Sequence, residues 1–158
     1  MEETINKKGY EVELSEFRFQ FIIHCPKCNN KTTLTNNTIS SYIEGKIVCP
    51  TCGFNKKLGG NSSYAISTVD GRIIESKAVM ENPKGLKFIL WYSTNFKGNS
   101  FWAYNEEHLN FLYDFVNAKH RDRSLENLKN RSIGSRLPKW ITSSENRKEI
   151  SKLIEGML

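Results

Sequence analysis

Hydrophobic and polar residues alternate near the start of the chain with the two-residue period of a β-strand. The apolar positions of this stretch are Val12, Leu14, Phe17, Phe19 and Phe21. Such alternation is typical of half-buried strands, and a slip of phase at residues 15–16 predicts a turn or bulge there. We therefore predict two N-terminal strands whose phenylalanines face the core, with a base-stacking platform for nucleic acid as the alternative.

The middle of the chain predicts further short strands and two hairpins. Residues 32–41 and 47–48 predict strands joined by a polar turn near residues 44–45, and residues 59–63 predict a loop. Asp70 and Gly71 form a strong hairpin signal between residues 64–69 and 72–78. A second hairpin is expected from residues 88–93 and 100–104, with Gly98 in its turn. We expect this region to be antiparallel β-structure.

The C-terminal part predicts helices. Asn105 is a favourable N-cap, and the apolar residues after it recur with helical spacing. These residues are Leu109, Phe111, Leu112, Phe115 and Val116. Residues 142–145 form a capping-box pattern before a second amphipathic stretch at residues 150–157, and Pro138 separates the two helices. Trp140 is expected to dock on the core, with exposed base stacking as its alternative role.

Length and hydropathy limit the class of protein. A chain of 158 residues supports one compact domain, or a small module beside a larger one. Its longest apolar run, residues 88–92, is far shorter than the about 20 residues that a membrane helix needs. The first residues carry acids where a signal peptide carries bases, so we expect a cytoplasmic protein without a membrane partner.

The charge of the chain is unevenly distributed. The net charge is +6, with 23 Lys and Arg against 17 Asp and Glu. Residues 116–140 hold seven of the bases but only Asp122 and Glu126 as acids. This local excess favours a polyanionic partner, although a solvated surface explains basic residues equally well.

The four cysteines occur as two Cys-x2-Cys pairs separated by twenty residues. They are Cys25, Cys28, Cys49 and Cys52. This spacing is typical of a four-thiolate zinc site, in which each pair forms a tight turn that directs two sulfurs at one ion. The alternatives are disulfides, which the cytosol disfavours, and a redox dithiol, which normally uses a single pair. We predict one structural Zn²⁺, since four protein ligands leave no position for a reacting water.

The neighbours of the cysteines fit a metal-binding turn. Asn29 and Gly53 follow the second cysteine of each pair, and both residue types tolerate the positive φ that such a turn requires. Five nearby lysines would offset the negative charge of a thiolate site. They are Lys27, Lys31, Lys46, Lys56 and Lys57. His24 is not expected to be a ligand, because the four cysteines complete the set.

Together these patterns predict an α+β fold. It consists of a four-cysteine zinc ribbon, antiparallel β-hairpins and two to three C-terminal helices. We expect residues 1–60 to form the ribbon with the N-terminal strands, and residues 61–158 to form the hairpins and helices, packed with the ribbon as one unit.

Several segments of the second half resemble one family. They are residues 90–91, 102–105, 108–109, 112, 118–119, 121–123, 135–141 and 146–147. The sequence of residues 136–140, Arg-Leu-Pro-Lys-Trp, followed by Asn146 and Arg147, is more specific than the cysteine pairs. In these segments the chain is similar to small bacterial proteins described as transcription factor IIB-type zinc-ribbon proteins. The resemblance implies a zinc ribbon but no defined activity. Many members carry extra cysteines where this chain has residues 94–98, so a second metal site is not expected.

Two functions remain open from the sequence, and a third has weaker support. In the first, the basic C-terminal segment contacts the phosphates of DNA or RNA. The proposed contacts are Arg121, Arg123, Arg131, Arg136, Lys139 and Arg147. The alternative is a protein–protein interaction adaptor, which predicts an exposed apolar patch around Phe96, Phe101 and Trp102. The third is an enzyme, for which a perturbed His108 in a pocket would be the sign, although no catalytic constellation is visible.

Overall fold

The computed structural model describes residues 11–80, 85–118 and 132–158, and it confirms the α+β class. The strands of this part of the chain are β1 (Gln20–His24), β2 (Lys31–Asn36), β3 (Gly45–Val48), β4 (Asn55–Leu58), β5 (Tyr64–Ser67), β6 (Ile73–Lys77), β7 (Leu86–Ile89), β8 (Tyr92–Phe96) and β9 (Asn99–Ala103). The α-helices are α1 (Glu106–Asn117), α2 (Ile133–Arg136), α3 (Lys139–Thr142) and α4 (Arg147–Met157). Short 3-10 helices cover Leu14–Phe17 and Ser144–Asn146. None of the described helices has the length and apolar character needed to cross a bilayer.

The chain divides into two compact units. The larger runs from Arg18 to Glu106, and the smaller combines the residues before Arg18 with those after Glu106. The boundary predicted after residue 60 lies inside the larger unit, between β4 and β5.

Four antiparallel strands in the order β1-β2-β3-β4 form the first sheet of the larger unit. Phe21 pairs with Leu34, and Leu34 pairs with Ile47, so these three side chains share one face of the sheet. All three are fully buried, which identifies this face as the core face. The β1–β2 and β3–β4 turns lie at the same end of the sheet, and both contain cysteines.

A three-stranded sheet, β6-β5-β7, and a hairpin, β8-β9, complete the larger unit. Both hairpins predicted around residues 70–71 and at Gly98 are present. The expectation of purely antiparallel structure is wrong in one place, because β7 pairs with β5 in parallel. β6 lies along one edge of β5 and runs antiparallel to it. β7 lies along the other edge and runs parallel to β5.

The segment at residues 88–93, predicted as one strand of the second hairpin, is divided between β7 and β8. The Leu90 N–H donates to the Ser67 carbonyl at 2.8 Å, which continues the pairing with β5. The next N–H, from Trp91, donates to the Ile22 carbonyl at 2.9 Å and so turns toward β1. The chain therefore changes sheets at this point, which an unbroken apolar pattern does not reveal.

The smaller unit contains the predicted helices, and α1 begins directly after Asn105. On α1 the buried residues are His108, Leu109, Leu112, Phe115 and Val116, so the predicted apolar face is the buried one. α4 buries Ile150 and Ile154 on one side. Before it, the Ser143 hydroxyl accepts the Glu145 N–H in the predicted capping segment. Helices α2 and α3 are additional single turns on either side of Pro138.

The N-terminal alternation was interpreted incorrectly in part. Instead of a strand at Val12 and Leu14, the structure has a single bridge between Glu13 and Ser132 followed by the 3-10 helix. In β1, Phe21 is fully buried, whereas Phe19 lies just before the strand and is 47% exposed. The alternating pattern is real, but a strand forms only where a neighbouring strand pairs with it.

Candidate metal centre

The two cysteine pairs form two turns of the same backbone structure. In the first, the Cys25 N–H donates to the Asn30 carbonyl at 2.7 Å, and the Asn29 N–H donates to the Cys25 carbonyl at 2.9 Å. In the second, the Cys49 N–H donates to the Phe54 carbonyl at 2.8 Å, and the Gly53 N–H donates to the Cys49 carbonyl at 2.9 Å. The corresponding residues are 24 positions apart. The sheet therefore presents the same turn twice at one end.

The backbone angles confirm the expected positions of positive φ. Asn29 has φ of 65° and Gly53 has φ of 77°. This left-handed conformation reverses the chain directly after the second cysteine of each pair, and Gly and Asn adopt it at low cost. The reversal brings both cysteines of a turn to the same side.

The four sulfurs converge on one point. All four Sγ atoms lie within 4.8 Å of one another. Cys25 Sγ is 3.6 Å from Cys52 Sγ, and Cys28 Sγ is 3.6 Å from Cys49 Sγ, so each close pair joins the two turns. A disulfide requires about 2.05 Å, and all four thiols are free. The cluster could hold a metal ion, and it is the one such group among the described residues.

Backbone and side-chain donors surround the sulfurs. The Lys27 N–H donates to Cys25 Sγ at 3.4 Å, and the Asn30 side-chain amide donates to Cys28 Sγ at 3.4 Å. Such donors stabilise thiolates and orient them toward a shared ion. The Cys-x2-Cys spacing does not point to Asn30 as part of the site. The signal that could identify it is a polar residue two positions after the second cysteine of the pair.

The thiols differ in acidity. The backbone N–H groups of Cys52 and Thr51 lower the pKa of Cys49 to about 6, although burial opposes them. The backbone N–H of Phe54 favours the thiolate of Cys52, but burial and the neighbouring cysteine sulfurs raise its pKa to about 11. One thiol therefore ionises readily while another retains its proton, because adjacent negative sulfurs repel. A cation between them would remove this repulsion.

His24 does not belong to the cluster of the four sulfurs. Its imidazole Nδ1 is 3.4 Å from the Asn29 carbonyl oxygen, and the ring packs on Trp91 with 4.6 Å between centroids. Of the neighbouring lysines, Lys31 is held by the Tyr92 hydroxyl at 3.0 Å. Lys46 and Lys57 are exposed and directly opposite each other on β3 and β4.

The proposed phosphate contacts fall into three groups. Arg121, Arg123 and Arg131 lie outside the described residues. Arg136 and Lys139 are exposed on α2 and α3. Arg147 is half-buried at the start of α4, and its Nε is buried without a hydrogen-bond partner in the described structure. Two of the six side chains are therefore placed on the surface as a phosphate contact requires.

Three of the residues on which the adaptor and enzyme hypotheses depended are buried in the structure. Phe96 is 7% exposed and Phe101 is 1% exposed, so they belong to the core and not to a surface patch. Burial lowers the pKa of His108 to about 3. The His108 ring stacks on Phe17 with 5.0 Å between centroids, which is the environment of a packed core side chain.

In comparisons with known proteins, no family model, curated protein or solved structure matches the chain.

Proposed function

We propose that this is a zinc-ribbon protein in which Cys25, Cys28, Cys49 and Cys52 bind one Zn²⁺. The observation that carries the proposal is the sulfur geometry. A tetrahedral ion with bonds of about 2.3 Å to sulfur requires sulfurs about 3.8 Å apart. The close pairs at 3.6 Å and the limit of 4.8 Å for the whole cluster agree with that requirement. The resemblance to zinc-ribbon proteins supports the same conclusion.

The bound zinc would be structural. Four thiolates saturate a tetrahedral ion, so no position remains for a substrate or an activated water. The ion would join the β1–β2 turn to the β3–β4 turn, which are separate in sequence. Iron also accepts four tetrahedral thiolates, so elemental analysis must distinguish the two metals.

Metal analysis of purified protein tests this assignment. We expect one zinc per chain in the wild type and loss of zinc in Cys25→Ser and Cys49→Ser, because each removes one of four ligands. Thr51→Ala is the matched control, since its side chain is exposed in the same turn as Cys49. Iron in place of zinc, or full zinc content in both cysteine variants, would refute the proposed site.

We further propose that the protein binds DNA or RNA through its basic C-terminal segment. The excess of bases over residues 116–140 supports this proposal, as does the exposure of Arg136 and Lys139. The adaptor alternative predicts an exposed apolar patch around Phe96, Phe101 and Trp102. Phe96 and Phe101 are buried and Trp102 is half-buried, which weighs against a patch at this place.

Salt-dependent binding tests this function. If about five phosphates are contacted, the logarithm of affinity falls with the logarithm of salt concentration, with a slope near −4 between about 50 and 200 mM. Arg136→Gln/Lys139→Gln should make this slope shallower by about 1.4 for single strands. Lys148→Gln/Lys152→Gln removes equal charge from exposed positions on α4 and serves as the control. Absence of binding at about 50 mM salt would contradict the function and favour a protein partner.

A further inference from the structure

The four-stranded sheet has a second face, opposite the core face of Phe21, Leu34 and Ile47. This second face is covered beside β1 and exposed beside β3 and β4. Beside β1 it is covered, because the Ile22 side chain, which points to this face, is only 7% exposed. Beside β3 and β4 it is open. There Val48 is 48% exposed and lies opposite the exposed Asn55. The sheet therefore presents a half-open surface formed by its last two strands.

Lysines without acidic neighbours in the sheet occupy this surface. Lys46 and Lys57 are directly opposite in the β3–β4 ladder, so their side chains project from the same face. Thr35 is the partner of Lys46 on β2, which extends the row with a polar side chain. The four strands contain four lysines and no aspartate or glutamate. Like charges directly opposite each other destabilise a sheet, and here no carboxylate within the strands offsets them.

Neither lysine of this pair forms an ion pair within the described part of the chain. The carboxylate nearest to Lys46 in sequence is Glu44, two residues before it, and Glu44 is exposed as well. The pair therefore presents two solvent-exposed ammonium groups side by side on the sheet.

We propose that the open face of β3 and β4, the Lys46–Lys57 face, binds the phosphate backbone of nucleic acid. The proposal rests on the proposed nucleic-acid binding and adds a second contact surface to it. Paired ammonium groups provide charge for phosphates, and the exposed Asn55 side-chain amide provides a hydrogen-bond donor. The Thr35 hydroxyl already donates to the Lys46 carbonyl at 3.2 Å. Within the described strands β3 and β4, Val48 is the one large apolar side chain on this face, and neither strand contains an aromatic residue for base stacking. Binding at this face would therefore be independent of sequence.

The test compares two double variants with equal loss of charge. Lys46→Gln/Lys57→Gln removes the cationic pair. Lys56→Gln/Lys87→Gln is the control, because Lys56 is the neighbour of Lys57 on the opposite face of β4 and Lys87 is exposed on β7. Binding of a fluorescent 20-nucleotide single strand is measured between about 50 and 200 mM salt, with poly-glutamate as a competitor.

We expect the salt slope of Lys46→Gln/Lys57→Gln to become shallower by about 1.4, at about 0.7 per lost phosphate contact, and the control to match the wild type. If the wild type binds and both variants have the same salt slope, the Lys46–Lys57 face is not a contact surface. The proposed function would not be affected by that result. Absence of wild-type binding would overturn both proposals. Displacement by poly-glutamate at an equal concentration of charge would assign the face to an acidic protein and overturn the nucleic-acid assignment.

A melting experiment verifies that the variant is folded. Removing two opposed like charges from an exposed ladder leaves the melting temperature of Lys46→Gln/Lys57→Gln unchanged or raises it slightly. A large decrease would show that the lysines support the fold and would contradict their assignment as a binding pair.

Discussion

The cysteine end of the first sheet and the region around Glu75 are two parts of the larger unit that are fixed in different ways. At the cysteine end, two turns meet through four sulfurs that repel one another when ionised, and in the proposed zinc site the metal ion would join them. Around Glu75 the junction is already complete. Arg18 Nε donates to Glu75 Oε1 at 2.8 Å, and the Tyr104 hydroxyl donates to the same oxygen at 2.8 Å.

The remaining groups of Arg18 complete this second junction. Its two terminal nitrogens donate to the carbonyls of Ser40 and Ser41, each at 2.9 Å, and one of them also reaches Glu75 Oε2 at 3.2 Å. The guanidinium thus joins the β2–β3 connection to β6, and Tyr104 adds the end of β9. If the proposed zinc site is correct, one small unit combines a junction that needs a metal ion with a junction made by side chains alone.

Loss of the metal should have the largest effect. We expect Cys49→Ser to lower the free energy of unfolding by about 3 kcal/mol or more, because metal binding is coupled to folding. For a unit of this size that corresponds to a decrease in melting temperature of more than about 12 °C. Thermal unfolding with and without a zinc chelator measures it. If the chelator leaves the melting temperature of the wild type unchanged, the result would contradict a junction that depends on metal.

Breaking the Glu75 junction should have the next largest effect. Glu75→Gln removes the charge that Arg18 faces, and both side chains are only 14% exposed, so we expect a loss of about 2–3 kcal/mol. Tyr104→Phe removes one hydrogen bond to the same carboxylate and should cost about 1 kcal/mol. Urea unfolding measures both. The zinc content should remain at one per chain in both variants, and its loss would show that the two junctions are not separate.

The smallest effect concerns pH. A hydrogen bond from Thr68, together with those from Ser100 and Asn95, lowers the pKa of Asp70 from 3.8 to about 2. The folded pKa is lower than the unfolded one, so this carboxylate contributes stability above about pH 4 and loses it as the pH falls toward 2. Asp70→Asn should therefore weaken the decline in stability over this interval.

Asp114→Asn, which removes an exposed carboxylate from α1, is the control for this prediction. If the stability curve of Asp70→Asn runs parallel to that of the wild type between pH 4 and 2, the Asp70 carboxylate does not contribute in this way.

The sequence was sufficient for the cysteine cluster because each of its determinants is local. Two Cys-x2-Cys turns, with Asn29 and Gly53 at the positions of positive φ, define both the sulfurs and the backbone reversal within a few residues. The hairpins at Asp70–Gly71 and Gly98 were predictable for the same reason. The apolar period predicted helix α4, whereas the predicted capping segment caps the 3-10 helix Ser144–Asn146 that precedes it.

Features that depend on distant residues were not predictable. Arg18 and Glu75 are 57 positions apart, and neither lies in a pattern that identifies the other. The parallel pairing of β7 with β5 depends on which edge of β5 remains open after β6 has paired. Phe21 is buried and Phe19 is exposed, although both occupy equivalent positions of the alternating pattern and both lie beside β2. In each case a tertiary neighbour decided between arrangements that the local pattern allows equally.

Hydrogen exchange with and without a zinc chelator tests the central claim most directly. The account predicts that removing the metal accelerates exchange of the turn amides, including those of Asn29 and Gly53, while amides in β5 and β6 remain protected. Unchanged protection in both turns would contradict the metal-dependent junction. Equal loss of protection throughout the larger unit would contradict the separation of the two junctions.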